Sequence, residues 1–166
     1  LVVIADWVST GSLDGVVTLG EEGSIVQLAF SDQTGFTVVS NSKQIVGWSG
    51  AFPTAIAAGD FNGDQKQDLI IGLEGSQSSG VFLNKGFVNG VVQLELQISG
   101  STFFFSNPPV GDSGPSGIVT GDFDQDGKSD YSSLASYRGG IEAVRGLGDG
   151  STIDQPAITY SWPKSL

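Results

Sequence analysis

The chain has 166 residues, a formal net charge of −11, and neither Cys nor His. That length allows one domain with a sizeable core, and the missing residue types exclude thiol catalysis, Ser-His-Asp chemistry and ordinary zinc sites. Only seven Lys and Arg are present, too few for a basic nucleic-acid surface, and no apolar run is long enough to span a membrane.

Gly is abundant at 25 residues and long stretches of helical period are absent, so the sequence predicts an all-β chain of short strands joined by Gly-rich turns. It begins at Leu1 without Met or a leader, and reads as a soluble mature chain or an excised segment. In chain order, the first strand, ending at Ala5, enters Asp6-Trp7-Val8-Ser9-Thr10-Gly11-Ser12-Leu13-Asp14. Strands at Gly15–Leu19 and Ser24–Phe30, a turn at Asp32–Gly35 and a last strand ending near Trp48 follow. A second unit repeats the course: a strand through Thr54–Ala58, the loop AGDFNGDQKQDL (Ala58–Leu69), strands after Leu69 and Gly80, a turn at Asn84-Lys85-Gly86, and a strand ending near Phe105. In the third, Gly117–Thr120 leads into TGDFDQDGKSDY (Thr120–Tyr131), then strands after Tyr131 and Gly140, a Gly148-Asp149-Gly150 turn, and a strand ending near Trp162.

The two intact loops carry the chemistry. Asp60, Asn62, Asp64 and Asp68 fall at loop positions 1, 3, 5 and 9, as do Asp122, Asp124, Asp126 and Asp130 sixty-two residues later. A hard divalent cation takes six to eight oxygens at roughly 2.3–2.6 Å. Alternate inward side chains supply four, and the backbone carbonyls of Lys66 and Lys128 suit position 7. Carboxylates packed this closely repel one another without a cation, so two bound Ca2+ are expected, which would bring the formal charge from −11 to −7. The first loop has Gln65 where the second has Gly127, which suggests slight strain there. An EF-hand needs Glu at position 12 and flanking helices, whereas Ile71 and Ser133 stand there between β-like flanks. The N-terminal loop keeps Asp6, Gly11 and Asp14, but Val8 cannot ligate; it should stay empty.

GDFNGD at Gly59–Asp64 and GDFDQDGKSD at Gly121–Asp130 resemble the FG-GAP and VCBS repeats of integrin-α-type β-propellers. The resemblance implies a propeller fold with calcium in its loops. Combined with repeat offsets of 54 and 62 residues it gives three four-stranded antiparallel blades in one repeat domain: 1–50, with the degenerate loop; 51–116; and 117–166. Propellers close with four to eight blades, so three units form a partial propeller, completed by missing units or by other copies, as a six-bladed ring of two chains or as a filament.

The aromatics at loop position 2, Trp7, Phe61 and Phe123, are expected to pack in the core between units. Trp48, Tyr160 and Trp162 are the residues that could stack a sugar, since propeller lectins of similar architecture use aromatics near blade junctions; inter-blade packing explains them as well. Glu21, Glu22, Glu74, Glu95 and Glu142 are scattered over different units, which argues against a paired-carboxylate hydrolase. Arg138 and Arg145 read as solvated hairpin charges. The reading is an extracellular, calcium-stabilised, non-enzymatic interaction or structural module that associates with other protein chains, copies of itself foremost. A carbohydrate-binding propeller is the alternative. The extracellular setting rests on the millimolar calcium such loops suit and on the family resemblance.

Overall fold

A computed structural model describes residues 1–7, 15–19, 25–32, 35–44, 53–73, 78–88, 91–97, 115–135, 140–154 and 158–159. Every regular element among them is a strand, and every strand pairs antiparallel. The first sheet orders β1 (Val2–Ala5), β2 (Gly15–Leu19), β3 (Ile25–Asp32) and β4 (Gly35–Gln44) side by side as a meander, closed at Asp32 pairing with Gly35. The second repeats that order with β5 (Pro53–Gly59), β6 (Asp68–Leu73), β7 (Ser78–Val88) and β8 (Val91–Gln97). In the third, β9 (Pro115–Gly121), β10 (Asp130–Ala135), β11 (Gly140–Gly146) and β12 (Thr152–Asp154) follow suit. Here β13 (Ile158–Thr159) also pairs with β11.

One expected turn is not a turn. Asn84-Lys85-Gly86 lies inside β7, where the pairing with β8 slips between Asn84 and Phe87, a bulge that leaves the strand running on to Val88. Val88 pairs with Val91 around Asn89-Gly90, and Asn-Gly is the stronger two-residue hairpin signal. Gly86 takes its positive φ of 102° within the bulge.

The alternation of side chains along the central sheet explains how the sheets stack. Successive strand residues point to opposite faces. Leu69, Ile71, Phe82 and Val92 bury with Ala5 and Trp7 of the first unit, whereas Ala55, Ala57, Phe61, Ile70, Val81 and Leu83 bury with Ile118, Tyr131 and Val144 of the third. A sheet apolar on both faces must be covered on both, and the second sheet is so covered by its two neighbours. The first strands β1, β5 and β9 lie next to one another in turn and line a solvent-open cleft of about 570 Å³, bounded among others by Ile4, Ala57 and Val119. Three sheets that stack face to face while their first strands converge on one cleft are compatible with β-propeller blades.

The two outer faces are another matter. On β1, Val2 and Ile4 alternate with the packed Val3 and Ala5 and are exposed. At the other end Val119, Leu134 and Ile141 are exposed, with Leu134 directly opposite Ile141 in the sheet.

Candidate metal centre

Each intact loop joins the first strand of its sheet to the second, and each is closed by its own carboxylates in the same way. At position 1, Asp60 accepts hydrogen bonds from the N–H groups of Gly63 (2.7 Å), Asp64 (3.2 Å) and Gln65 (2.8 Å). Asp122 likewise accepts from Asp126 (3.0 Å) and Gly127 (2.9 Å). At position 3, Asn62 and Asp124 accept from the N–H of Asp64 and Asp126 (3.1 and 3.2 Å). At position 5, Asp64 and Asp126 accept from the N–H of Lys66 and Lys128, both at 3.0 Å. This is a chain of Asx turns, which the short polar side chains at alternate positions favour locally.

The position 9 carboxylates work as staples. Asp68, fully buried, accepts from Phe61 N–H through Oδ2 and from Asn84 N–H on β7 through Oδ1, both at 2.8 Å. Asp130 does the same with Phe123 N–H (2.8 Å) and Gly146 N–H on β11 (2.9 Å). One side chain thus fixes the start of its loop to the third strand of its sheet. Burial pushes the Asp68 carboxyl up to about 6, against the two N–H groups that lower it, and the nearby Asp64 and Asp60 charges raise it further. A loop with that balance is short of positive charge.

The turn at the loop tip requires left-handed backbone at positions 4 and 6. Gly63 and Gln65 have φ of 75° and 66°, and Gln125 and Gly127 have 62° and 84°. The strain expected at Gln65 therefore has a twin at Gln125: each loop has glycine at one of the two positions and glutamine at the other. Because a non-glycine residue costs about 1–2 kcal/mol there while glycine loses about 0.5–1 kcal/mol of chain entropy on folding, Gln65→Gly and Gln125→Gly should each stabilise by about 0.5 kcal/mol or slightly more. Urea midpoints of the single and double variants check this, and a fall in either midpoint would contradict it.

Asp122, Asp124 and Asp130 offer oxygens that all lie within 4.8 Å of one another, close enough to share one cation. Asp126 is turned elsewhere. Its Oδ2 meets Arg145 Nη2 at 2.8 Å and Lys128 Nζ at 3.4 Å, and although burial works to raise its pKa, these partners hold it below the ordinary carboxylate value. In the first loop Asp64 Oδ2 meets Lys66 Nζ at 2.7 Å with the same outcome. Lys66 and Lys128 thus touch their loops through N–H and Nζ; the role of their carbonyls at position 7 stays an expectation. The donor set is all oxygen, carboxylate and amide, which fits a hard cation of calcium's kind and not a soft one. Bound there, such an ion would supply charge neutralisation, with Asp122, Asp124 and Asp130 the residues gathered to hold it.

Residues 60–133, from the first ligand position of one loop to the strand after the other, match the FG-GAP-like repeat family. This segment is similar to an FG-GAP-like repeat. No curated protein matches the chain significantly.

Around the repeat, three features escaped the sequence reading. Asn84 is fully buried and donates from Nδ2 to the carbonyls of Trp7 (2.9 Å) and Gln67 (3.1 Å), so it ties the first unit to the loop of the second. Gly150 N–H repeats that tie one unit on, donating to the Phe61 carbonyl at 2.9 Å. Arg145, read as a solvated charge, reaches the second loop. The Asn-x-Gly spacing at 84–86 was visible but suggested a turn. The aromatics at position 2 also divide: Trp7 and Phe61 are buried at 1% and 0% exposure, and Phe61 meets Tyr131 edge-on at 6.2 Å, whereas Phe123 is 53% exposed. Its expected core role is corrected, because a position 2 aromatic is covered by the next sheet and none of the described residues covers Phe123. Trp48, Tyr160 and Trp162, residues 8–14 of the degenerate loop, and Arg138 lie outside the described residues.

Proposed function

We propose that the protein is an extracellular, calcium-stabilised, non-enzymatic interaction module whose stacked sheets are blades of a larger propeller, completed by copies of the same chain. The observation that carries this is the contrast between Phe61 and Phe123. Both stand at position 2 of equivalent loops; the first is sealed by the following sheet and the second is exposed, on a unit that also exposes Val119, Leu134 and Ile141. Exposed apolar residues on the face that repeats a surface which elsewhere in the chain is an interface favour association with another sheet of the same kind. Its complement is the kind of face that carries Val2 and Ile4, at the positions that in the second unit are Ile56 and Ala58, both packed against the cluster that Ala5 and Trp7 of the first unit share with the second sheet.

Calcium would act by neutralising the loop carboxylates and so stiffening the loop that positions Phe123. The deciding measurement is particle mass by sedimentation across a concentration series, in millimolar calcium and then in chelator. Growth in mass with concentration that chelator reverses is expected. A folded monomer at high concentration in both conditions would overturn self-association.

A further inference from the structure

The two loops of the repeat differ in one respect that lies outside them. Arg145 of β11 places Nε 2.6 Å from Asp124 Oδ2 and Nη2 2.8 Å from Asp126 Oδ2, spanning loop positions 3 and 5. Sixty-two residues earlier the same place on β7 holds Leu83, which is buried in the core and packs against Gly150. The second loop therefore has, beside Lys128, a second ion-paired cation, where the first has, among the described residues, Lys66 alone. It also has one more carboxylate, Asp124 in place of Asn62. With Lys66 on one side and Lys128 and Arg145 on the other, the two loops reach the same formal charge, three carboxylates against one ammonium and four against two cations.

We propose that Arg145 is a tethered counter-cation of the second loop, which a divalent ion must displace from Asp124 and Asp126 before it can take their oxygens, so that Arg145 sets the concentration at which this loop fills. The inference rests on the reading that the loops hold calcium. A guanidinium bound by two carboxylates competes for the oxygens an ion would use, and its positive charge also repels the ion. Without an ion, the pair holds the loop against β11. The first loop has only Lys66, a flexible point charge on a single carboxylate, to displace.

The test is calorimetric titration of the whole chain with calcium chloride, for the unaltered protein, Arg145→Leu, and Arg145→Gln in case the leucine variant folds poorly, each checked by circular dichroism. Asp60→Asn assigns the first-loop step. For a half-exposed ion pair the displacement should be worth about three- to tenfold in affinity. The second-loop step should tighten by that factor in both variants while the first-loop step stays put. A side chain that merely supported the loop would weaken binding on removal, so a second step that is unchanged or weaker overturns the role of Arg145. Absence of calcium uptake in all proteins up to several millimolar overturns the calcium reading, and this inference with it.

Discussion

Phe61→Ala should cost about 3 to 5 kcal/mol of folding stability, while Phe123→Ala, at the same loop position one repeat on, should cost less than about 1 kcal/mol in the dissociated chain. The difference comes from what covers each ring. Phe61 is fully buried against Tyr131 in a cluster that also holds Ile70, Val81, Leu83 and Val144. Removing it leaves a cavity between two sheets that their paired backbones prevent from collapsing. Phe123 is half in solvent already. Its truncation should show instead in association, abolishing the concentration-dependent growth in mass while leaving the urea midpoint of the monomer nearly unmoved. Equal costs for the two substitutions would mean that Phe123 is covered within the chain, and the case for an interface there would fail.

Gly146→Ala should be comparably severe, at about 3 kcal/mol or more. A Cβ at Gly146 would overlap the carbonyl oxygen of Ser129, a backbone atom that cannot swing aside, and the N–H of Gly146 is one of the two that donate to Asp130. Relief of the overlap must move β11 from the loop, which strands a buried carboxylate oxygen as well as straining the sheet. Gly117→Ala is the control, because a Cβ there meets nothing within 4 Å; it should be neutral within about 0.5 kcal/mol. Chemical denaturation of both variants reads the difference, and a benign Gly146→Ala would show that loop and third strand are not fastened through Asp130.

The limits of a sequence reading are visible at particular residues. The loops were legible because their order is local: Asp60 and Asp122 bond to N–H groups no more than five positions on, so the spacing of short polar residues contains the geometry. The strands were legible from turns and alternation, and Asp32 pairing with Gly35 shows how closely a Gly-marked hairpin can be placed. The failures are non-local. Whether Phe123 is core depends on a neighbouring sheet, which no property of the loop specifies. Arg145 finds Asp124 and Asp126 only because strand pairing brings β11 beside the loop, nineteen residues from Asp126. Asn84 misled by composition: an Asn two residues before a Gly suits a turn and a bulge alike, and the hydrogen bond from its side chain to the Trp7 carbonyl crosses 77 residues of chain.

Among the described residues, the two outer faces of the stack are not alike. One carries Val2 and Ile4, in the positions a unit turns toward the sheet before it; the other carries Val119 and Phe123, in positions turned toward the sheet after it. Like faces have no partner in the pattern the chain itself uses, so the self-association proposed above would follow that pattern by joining one face to the other, head to tail, and not back to back through identical patches. A molecule blocked at Phe123 could still offer its Val2 face to another, so a small fraction of blocked chains mixed with intact ones should terminate assembly at one end only, a polarity that a symmetric dimer would not have.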